Sequence, residues 1–334
     1  MIITKTPFRM SFFGGGTDMP EFFNEYGGAV LSTTFDKYCY ITVRHLPRFF
    51  DYKTHLTYSQ VEFVNKYEDI KHPLIRNTMK MLDMHELRLT YDADLPARSG
   101  LGTSSSFAVG LLQSFYSLKG KLADKRKLAD DAIFVERNLC KEAGGWQDQI
   151  AASYGGFNRI TFHDNTYEVH PIIISSERKK NLNDNLLMFF TGFTRFSAAV
   201  QEANIAHGDG KRKKIRRLQE MLKLVDEAEN ILTNKQRNLD DFGYLLDHTW
   251  NLKRQTGNAV SNDGIDSLYE RGIQAGAIGG KLLGAGGGGF LIFYVQPEKR
   301  EQVKQAMNDL LHIPFKFEND GSTVIYYEAE DYEP

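Results

Sequence analysis

A segment rich in glycine and serine, Asp94–Ser106, constrains the fold of this chain more than any other feature. An alternating, strand-like stretch precedes it at residues 86–91, and apolar residues at helical spacing follow it from Phe107 to Phe115. Unpaired backbone N–H groups and the positive end of the dipole make the start of a helix a binding site for anions. The pattern therefore predicts a strand, a loop and a helix. A phosphate-binding loop is the functional interpretation, and a capped helix start without a ligand is the alternative.

Two well-known loops of similar composition are excluded. The motif G-x-x-x-x-G-K-[ST] requires a lysine that this segment lacks, and the nucleophile elbow G-x-S-x-G requires a final glycine that Gly102–Ser106 lacks. Glycines at such a junction let the backbone approach phosphate oxygens. A hydroxyl at Ser104 or Ser105 is suited to bind Mg²⁺.

A second glycine-rich segment, Lys281–Phe290, contains four consecutive glycines and formally matches G-x-G-x-x-G. The dinucleotide-binding fingerprint requires a helix after the glycines, whereas strand-like residues follow here at 290–295, so a Rossmann site is excluded. Consecutive glycines are costly in conformational entropy. They favour close approach by another backbone or by a ligand, and a purely structural glycine hairpin is the alternative.

A third segment, Pro7–Asp18, places Arg9 and Asp18 on either side of the glycine turn Gly14–Gly16. One arginine and one carboxylate beside a glycine turn suit a polyol, whose hydroxyls both donate and accept hydrogen bonds. A surface turn explains the same residues equally well.

Two acids lie between these segments. Glu136 falls on a predicted helix, and Asp148 follows the Gly-Gly break at residues 144–145. A carboxylate near such a break is a candidate general base or Mg²⁺ ligand. An ordinary acid that stabilises a helix start is the alternative.

Charge and cysteine content exclude several classes of function. The 41 basic and 43 acidic residues give a net charge of -2, which provides no general attraction to nucleic acid or to an anionic membrane. The basic stretch Lys211–Arg217 and the pair Lys253–Arg254 lie in helical patterns and are interpreted as solvated surface. The 2 cysteines form no CxxC pair, which argues against disulfides and structural zinc. The sequence shows neither an apolar leader nor an apolar run approaching the ~20 residues that span a bilayer, so we expect a cytoplasmic protein.

The length of 334 residues predicts two domains. A charged stretch at 176–181 is the expected boundary, which divides the chain into residues 1–180 and 181–334. Strand-like stretches are frequent before it, including one near Val30, another at 38–43 and a hairpin over 157–174. After a strand at 186–191, the pattern is helical as far as about Gly276, with apolar residues at helical spacing from Leu218 to Leu232. The end of the chain is predicted as strand, helix and strand.

Taken together, the three glycine-containing segments, in this order and at these distances, resemble the GHMP kinase superfamily of small-molecule kinases over nearly the whole chain. Within that superfamily, four stretches look most like the D-glycero-D-manno-heptose 7-phosphate kinases, with bacterial fucokinase-like domains as the second candidate. These stretches are Phe12–Asp18, Gly145–Gln149, Thr191–Arg195 and Gly280–Gly289. The resemblance implies an α+β fold in two domains. The N-terminal α/β domain would carry the phosphate loop in a βαβ unit, the C-terminal domain would be ferredoxin-like, and the site would lie in the cleft between them.

The resemblance also implies a role for particular residues. Asp148 matches the catalytic aspartate, Arg9 the basic residue beside the reacting hydroxyl, and Asp18 the carboxylate that holds sugar hydroxyls. The implied Mg²⁺ ligands are Ser104, Ser105 and Glu136. The residues implied to bind the ATP phosphates are Pro96, Arg98, Gly100, Leu101, Gly102, Thr103, Ser104 and Ser105. Those implied to bind the substrate, besides Asp18, are Gly15, Gly16, Thr17, Arg195, Gly286 and Gly287.

One departure from the family pattern bears on the substrate. Galactokinases carry Gly-Glu-His-Thr-Asp where this chain has Gly14–Asp18, so side chains near the sugar are missing and a bulkier substrate than galactose is expected. The implied reaction transfers the γ-phosphoryl group of MgATP to the anomeric hydroxyl of a heptose 7-phosphate. A phosphorylated acceptor needs cations besides Arg9, and Arg195 is a stronger candidate than Arg98.

Two alternatives to this reaction stay open. One is a fucokinase-like or galactokinase-like enzyme for an unphosphorylated sugar, and the other is a non-catalytic sugar or nucleotide sensor. The expected partner in each case is a small molecule, with no nucleic acid and no membrane, and the chain would act as a monomer or homodimer.

Overall fold

The computed structural model describes residues 1–97, 99–192, 209–257 and 260–329. Within these ranges the chain forms strands and helices in alternating groups. The strands are β1 (Ile2–Phe13), β2 (Gly28–His45), β3 (Thr54–Thr57), β4 (Val61–Val64), β5 (Leu87–Ala93), β6 (Phe157–His163), β7 (Thr166–Pro171), β8 (Leu186–Phe190), β9 (Gly279–Leu282), β10 (Phe290–Tyr294), β11 (Leu311–His312), β12 (Phe317–Glu318) and β13 (Thr323–Tyr327). The α-helices are α1 (Pro20–Tyr26), α2 (Pro73–Met81), α3 (Thr103–Leu118), α4 (Lys125–Ile133), α5 (Gln147–Tyr154), α6 (Ser176–Asp184), α7 (Asp209–Thr233), α8 (Asp240–Arg254), α9 (Asp263–Gln274) and α10 (Arg300–Ala306). Short 3₁₀ turns lie at Tyr67–Asp69 and Pro297–Lys299, and a π-helical segment at Phe134–Leu139.

The first sheet is built around one long strand, β2. Its strands run in the order β13-β1-β2-β5-β3-β4, with β6 and β12 also paired to β2, and β7 paired to β6. The sequence pattern suggested two separate strands in the region of β2, because the apolar run near Val30 and the β-branched run at 38–43 are separated by polar residues. The structure joins them into 18 residues, whose first eight are all buried. Ser32 and Thr33 pair with β1 on one side and β6 on the other, and Thr34 pairs with β1 and β12, so these polar residues do not interrupt the strand.

The predicted loop and hairpin are confirmed locally. Strand β5 runs into the glycine-serine segment, and helix α3 begins at Thr103. Strands β6 and β7 pair through a two-residue turn, in which Asp164 and Asn165 both have positive φ, as expected for a tight hairpin.

The second sheet is antiparallel, and its four strands run in the order β11-β8-β10-β9. Numbered along the chain, that is fourth, first, third, second, with helices after the first and third strands, so the expected ferredoxin-like arrangement is confirmed. Strand β9 was not expected. Its residues Gly279 and Gly280 have low strand propensity, so only pairing with β10 identifies the segment as a strand.

The end of the chain returns to the first sheet. Strand β12 pairs with β2, and β13 pairs with β1. The boundary at residue 180 stays a prediction, but residues 317–327 pack with the N-terminal half of the chain rather than with the second sheet.

One hydrophobic core joins the two sheets. Phe8 and Phe12 of β1 belong to the same buried cluster as Met188 of β8, Ile292 of β10 and Phe242 of α8. Burial of α7 along Leu218, Met221, Val225 and Ile231, and of Trp250 in α8, confirms the expected apolar faces. Among the described residues, none of the helices is both long and apolar enough to cross a membrane.

Candidate active site

The first turn of α5 connects the segment Pro7–Asp18, the glycine-serine loop and Glu136. This short helix follows the Gly-Gly break, and the backbone N–H of Trp146 donates to the carbonyl of Asp18 at 3.1 Å. The next three residues, Gln147, Asp148 and Gln149, each bond a different group of the site. Successive side chains of a helix turn point about 100° apart, so one turn can reach three directions.

Asp148 forms a bidentate ion pair with Arg9. The Arg9 Nε donates to Oδ1 at 2.7 Å and its Nη2 donates to Oδ2 at 2.8 Å. Its Nη1 donates to the carbonyl of Gly100 at 2.7 Å, which ties strand β1 to the glycine-serine loop. The Arg9 side chain is 5% exposed and that of Asp148 is 27% exposed. The carboxylate is therefore held in one orientation from the protein side and is open to a ligand from the other.

Asp18 is buried beneath the glycine turn. The N–H of Gly16 donates to its Oδ1 at 2.9 Å, and the Gln147 side-chain amide donates to its Oδ2 at 3.0 Å. Burial, and secondarily the charge of Asp148, raises the pKa of this carboxyl above its usual value. The Thr17 hydroxyl is used by backbone groups of Gly14 and Ala29, so Thr17 shapes the turn rather than presenting a hydroxyl to a ligand.

Glu136 lies on the π-helical segment Phe134–Leu139, where an uninterrupted α-helix was expected. Such segments occur frequently at functional sites, because they displace side chains from the α-helical register. Ser104 donates to its Oε1 at 2.8 Å, and Ser105 donates to its Oε2 at 2.7 Å. The Gln149 amide also donates to Oε2, at 2.6 Å. Burial is the main cause that raises the pKa of Glu136 to about 7.

The glycine-serine loop faces the Arg9–Asp148 pair. Gly102 has a left-handed backbone with φ 72, and a Cβ there would lie 3.2 Å from Arg9 Cγ and 3.4 Å from Asp148 Cγ. Pro96, at the start of the loop, and Ser104 are exposed. Thr103 and Ser105 are buried. Arg98 and Arg195 lie outside the residues that the structure describes.

The second glycine loop, residues 284–289, packs directly on the first. A Cβ on Gly284 would lie 2.3 Å from the Cα of Gly100, and one on Gly289 would lie 2.2 Å from the carbonyl oxygen of Ser99. Gly286 contacts Val260, and the N–H of Gly287 donates to the Val260 carbonyl at 3.1 Å. The glycines of this second loop therefore permit close approach by another backbone, which is one of the alternatives that the sequence left open.

Two lysines at the site were not expected from the sequence. Lys281 of β9 is buried, and its ammonium donates to the carbonyls of Ser11 and Phe12 at 2.8 and 2.7 Å, which joins the second sheet to β1. Lys253, interpreted above as surface, donates instead to the carbonyl of Gly284. Its position three residues after the buried Trp250 places it on the inward side of α8, and that spacing was the available signal.

Gln147 and Gln149 were also missed as site residues. The sequence contains them on either side of Asp148, but their partners, Asp18 and Glu136, are distant in the chain. Within the described ranges, no group of three or more His, Cys, Asp or Glu residues is arranged to hold a metal ion. A cation at Glu136 would therefore need further ligands from hydroxyl groups and from a bound anion.

Comparison with known proteins adds family matches over both halves of the chain. The model for the GHMP kinases N terminal domain matches residues 70–156, and that for the GHMP kinases C terminal domain matches residues 221–313. The chain is 31% identical over 322 residues to the D-glycero-alpha-D-manno-heptose 7-phosphate kinase of Campylobacter jejuni, covering 92% of this chain and 93% of that protein. It is 30% identical to the bifunctional fucokinase/GDP-fucose pyrophosphorylase of Arabidopsis thaliana, over 68% of this chain and 22% of that protein.

Solved structures share the fold over almost the whole chain. A crystal structure of a D-glycero-D-manno-heptose 1-phosphate kinase from Bacteroides thetaiotaomicron superposes with a TM-score of 0.80 at 23% identity, covering 98% of this chain and 100% of that chain. The galactokinase of Lactococcus lactis complexed with galactose superposes with a TM-score of 0.74 at 18% identity, covering 96% and 94%.

Proposed function

The chain belongs to the GHMP kinase family, and from this membership we propose that it is a sugar kinase that transfers the γ-phosphoryl group of ATP to the anomeric hydroxyl of D-glycero-D-manno-heptose 7-phosphate. One observation carries the proposal. The first turn of α5 holds Asp148 against Arg9 at the glycine-serine loop, while its two glutamines bind Asp18 and Glu136. A proton acceptor, a cation, an anion-binding loop and a polar acceptor pocket thus meet at one turn.

The chain supplies positioning and charge rather than a covalent intermediate. Phosphoryl transfer has a loose transition state, so its catalysis depends mainly on holding the two reactants in line and stabilising charge. Asp148 is placed to accept the proton of the attacking hydroxyl, and the bidentate contact with Arg9 fixes the orientation of its carboxylate. A well-placed general base contributes about 10²–10⁴ in rate.

The backbone of the glycine-serine loop is proposed to hold the phosphates of ATP. Helix α3 begins at Thr103, so the N–H groups of its first turn and the positive end of its dipole lie at the loop. The absence of a side chain at Gly102 leaves the space in front of Arg9 and Asp148 open to a phosphate.

Glu136 and the two serine hydroxyls fit a Mg²⁺ ion. All three would bind through oxygen atoms, which are the ligands that Mg²⁺ prefers. Mg²⁺ is commonly bound by one protein carboxylate together with phosphate oxygens of the substrate. Ser104 and Ser105 are already oriented by hydrogen bonds to opposite oxygens of Glu136. When bound, Mg²⁺ would neutralise charge on the phosphates. With a pKa of about 7, Glu136 gives up its proton readily when a cation binds.

A heptose 7-phosphate is the acceptor that the relatives and the glycine turn support. The heptose 7-phosphate kinase from Campylobacter jejuni is matched over nearly its full length. Gly15 and Gly16 stand where galactokinases carry glutamate and histidine, and a Cβ on Gly15 would lie 3.7 Å from Ser11 Oγ and 3.9 Å from Gln147 Nε2. The side chains missing beside these polar groups favour a substrate larger than galactose. Asp18, held by Gly16 and Gln147, organises the same pocket.

The test is a phosphorylation panel. Purified protein with ATP and Mg²⁺ is incubated with heptose 7-phosphate, fucose, galactose, mannose or homoserine, and ADP release and the phosphorylated product are measured. We expect the heptose 7-phosphate to give the largest kcat/KM, with the new phosphate on the anomeric carbon. Asp164→Asn, at an exposed hairpin turn, serves as a matched control for changes at Asp148.

Preference for an unphosphorylated sugar would overturn the assigned acceptor and favour the fucokinase-like alternative, which the Arabidopsis thaliana relative supports. Binding of sugar or nucleotide without turnover of any acceptor would instead indicate a sensor.

A further inference from the structure

Phosphoryl transfer at this site needs positive charge that Arg9 alone does not supply. Both oxygens of Asp148 accept from Arg9, so the charges of these two side chains largely cancel before a substrate binds. The Lys281 ammonium is buried and donates to two backbone carbonyls. Beyond the charge that a Mg²⁺ ion at Glu136 would supply, a phosphate entering between the loops would be stabilised by a further cation close to the Arg9–Asp148 pair.

Lys253 occupies that position. It lies at the end of α8, and its ammonium donates to the carbonyl of Gly284. The backbone of Gly284 packs against that of Gly100, and the carbonyl of Gly100 accepts from Arg9 at 2.7 Å. Three consecutive contacts thus connect the lysine to the catalytic pair across the two glycine loops.

The charges around Lys253 are consistent with an anion site. Burial and the charge of Arg9 lower the pKa of Lys253 to about 8, while the carboxylates of Asp18 and Asp148 act in the opposite direction. Lys281 on β9 also faces it, and the charge of Lys253 contributes to the lowered pKa of Lys281. A bound phosphate would add negative charge beside Lys253 and offset the cost of burying its ammonium.

We propose that the Lys253 ammonium binds the phosphoryl group as it passes from ATP to the acceptor. This inference rests on the proposed kinase activity. In the step, the acceptor oxygen forms a bond to phosphorus while the bond from phosphorus to the bridging oxygen of ADP breaks. Asp148 takes the hydroxyl proton. Lys253 donates a hydrogen bond to an equatorial phosphoryl oxygen and transfers no proton, so its contribution is electrostatic.

Two variants test this role. Lys253→Met removes the charge and keeps much of the length, and Lys253→Arg keeps the charge. We expect Lys253→Met to lower kcat about 10- to 100-fold with every active acceptor, phosphorylated or not, because a charged hydrogen bond is lost in the transition state. Lys253→Arg should recover at least part of that loss. Thermal melting of both variants verifies that they fold.

The pH profile gives a second readout that a purely structural lysine would not change. For the wild type, we expect kcat/KM to fall as pH rises through about 8, since deprotonation removes the positive charge. Arginine stays protonated, so Lys253→Arg should shift this alkaline limb to higher pH. Arg254→Met, which removes the adjacent cation paired with Asp266, is the matched control and should leave the limb unchanged.

Three results would overturn the inference. The first is a folded Lys253→Met variant with kcat within about threefold of wild type, and the second is an unshifted alkaline limb in Lys253→Arg. The third is an increased KM confined to phosphorylated acceptors, which would place the lysine on the acceptor's own phosphate. Failure of the proposed function is distinguishable, because then the wild type itself would release no ADP with any sugar.

Discussion

The two glycine loops have similar compositions but different surroundings. The loop at 99–102 follows strand β5 and leads into helix α3, so the start of that helix lies beside Arg9 and Asp148. The loop at 284–289 connects two strands of the second sheet, and its glycines contact backbone atoms of the first loop and of Val260. The element that follows a glycine loop therefore indicates more about its role than the glycines themselves.

With the proposed function, this comparison places the chemistry at the first loop and the packing at the second. The first loop adjoins groups that can accept a proton or hold a cation, namely Asp148 and Glu136. The second loop sets the distance between the two sheets at the site and supplies the carbonyl that holds Lys253. Changes in the first should alter kinetics, and changes in the second should alter stability before kinetics.

The largest effect is expected at Asp148, beside the first loop. Asp148→Asn keeps the shape of the side chain but removes the proton acceptor, and it replaces one carboxylate oxygen facing Arg9 with an NH₂ group. We expect kcat to fall by about 10²-fold or more, with the affinity for ATP little changed. Steady-state kinetics and nucleotide titration calorimetry measure the two quantities. A kcat within about threefold of wild type, or an equal loss in Asp164→Asn, would remove Asp148 from this role.

A matched pair of glycine substitutions tests the division between the loops. Gly284→Ala forces a Cβ to within 2.3 Å of the Gly100 backbone at φ 82, where no flexible side chain can move aside. We expect a loss of about 2–4 kcal/mol in the free energy of unfolding, from strain and overpacking together.

Gly102→Ala places its Cβ 3.2 Å from Arg9 Cγ and 3.4 Å from Asp148 Cγ, so these side chains need to shift by only a few tenths of an ångström. The left-handed backbone adds a cost of about 1 kcal/mol. The substitution should raise the KM for ATP more than that for the acceptor, since it narrows the approach of phosphate to the loop. Urea unfolding and kinetics of both variants make the comparison. If Gly284→Ala changed kinetics at unchanged stability, the division of roles would be wrong.

The fold was predictable where local pattern and chain order carry the information. The glycine-serine segment between strand-like and helical patterns predicted the β5–loop–α3 junction, and the helical spacing from Leu218 predicted the buried face of α7. Strand β9 was missed because Gly279 and Gly280 become a strand only through pairing with β10. The return of β12 and β13 to the first sheet is equally non-local.

The site was predictable as a set of segments but not as a set of contacts. Arg9, Asp18 and Asp148 stand out by residue type near glycine turns, and Glu136 is an acid on a predicted helix between them. The structure brings all four to the first turn of α5. The contacts between them join residues more than 100 positions apart in the cases of Arg9 and Asp18. Lys253 was missed for a related reason. A helical pattern shows which side of a helix is apolar, but it does not show which other segment of the chain packs against that side.

The ionisation of Glu136 gives a pH-dependent prediction for the metal-free protein. Its pKa is about 7 in the folded state against 4.5 ordinarily, so the unfolded state loses the proton first as pH rises. The wild type should therefore lose up to about 3 kcal/mol of stability between pH 4.5 and 7 from this group. Glu136→Gln carries no such charge, so the variant should gain stability relative to wild type by that amount between pH 4 and pH 8.

Urea unfolding in the presence of a chelator measures the difference at both pH values. Any baseline cost of the substitution, such as a lost acceptor for Ser105, is present at both and cancels. An equal difference at pH 4 and pH 8 would contradict a buried carboxyl that resists ionisation at this position.

The smallest expected effect separates the two glutamines on either side of Asp148. Gln147 donates to Asp18 at 3.0 Å, whereas Gln149 donates to Glu136 at 2.6 Å. Gln147→Leu removes one hydrogen bond to the carboxylate under the glycine turn. It should raise the KM for the sugar about 5- to 10-fold, which corresponds to a loss of about 1 kcal/mol, with the KM for ATP within about twofold.

Gln149→Leu is the matched control, because it lies in the same turn and loses a bond of the same kind. It should instead raise the Mg²⁺ concentration that gives half-maximal activity, since its partner Glu136 belongs to the side of the site proposed to hold the cation. Activity titrated with sugar, ATP and Mg²⁺ in turn separates the three dependences. If both variants raised the KM for sugar equally, the acceptor pocket and the cation site would act as one unit, and the assignment of Asp18 to the acceptor alone would be wrong.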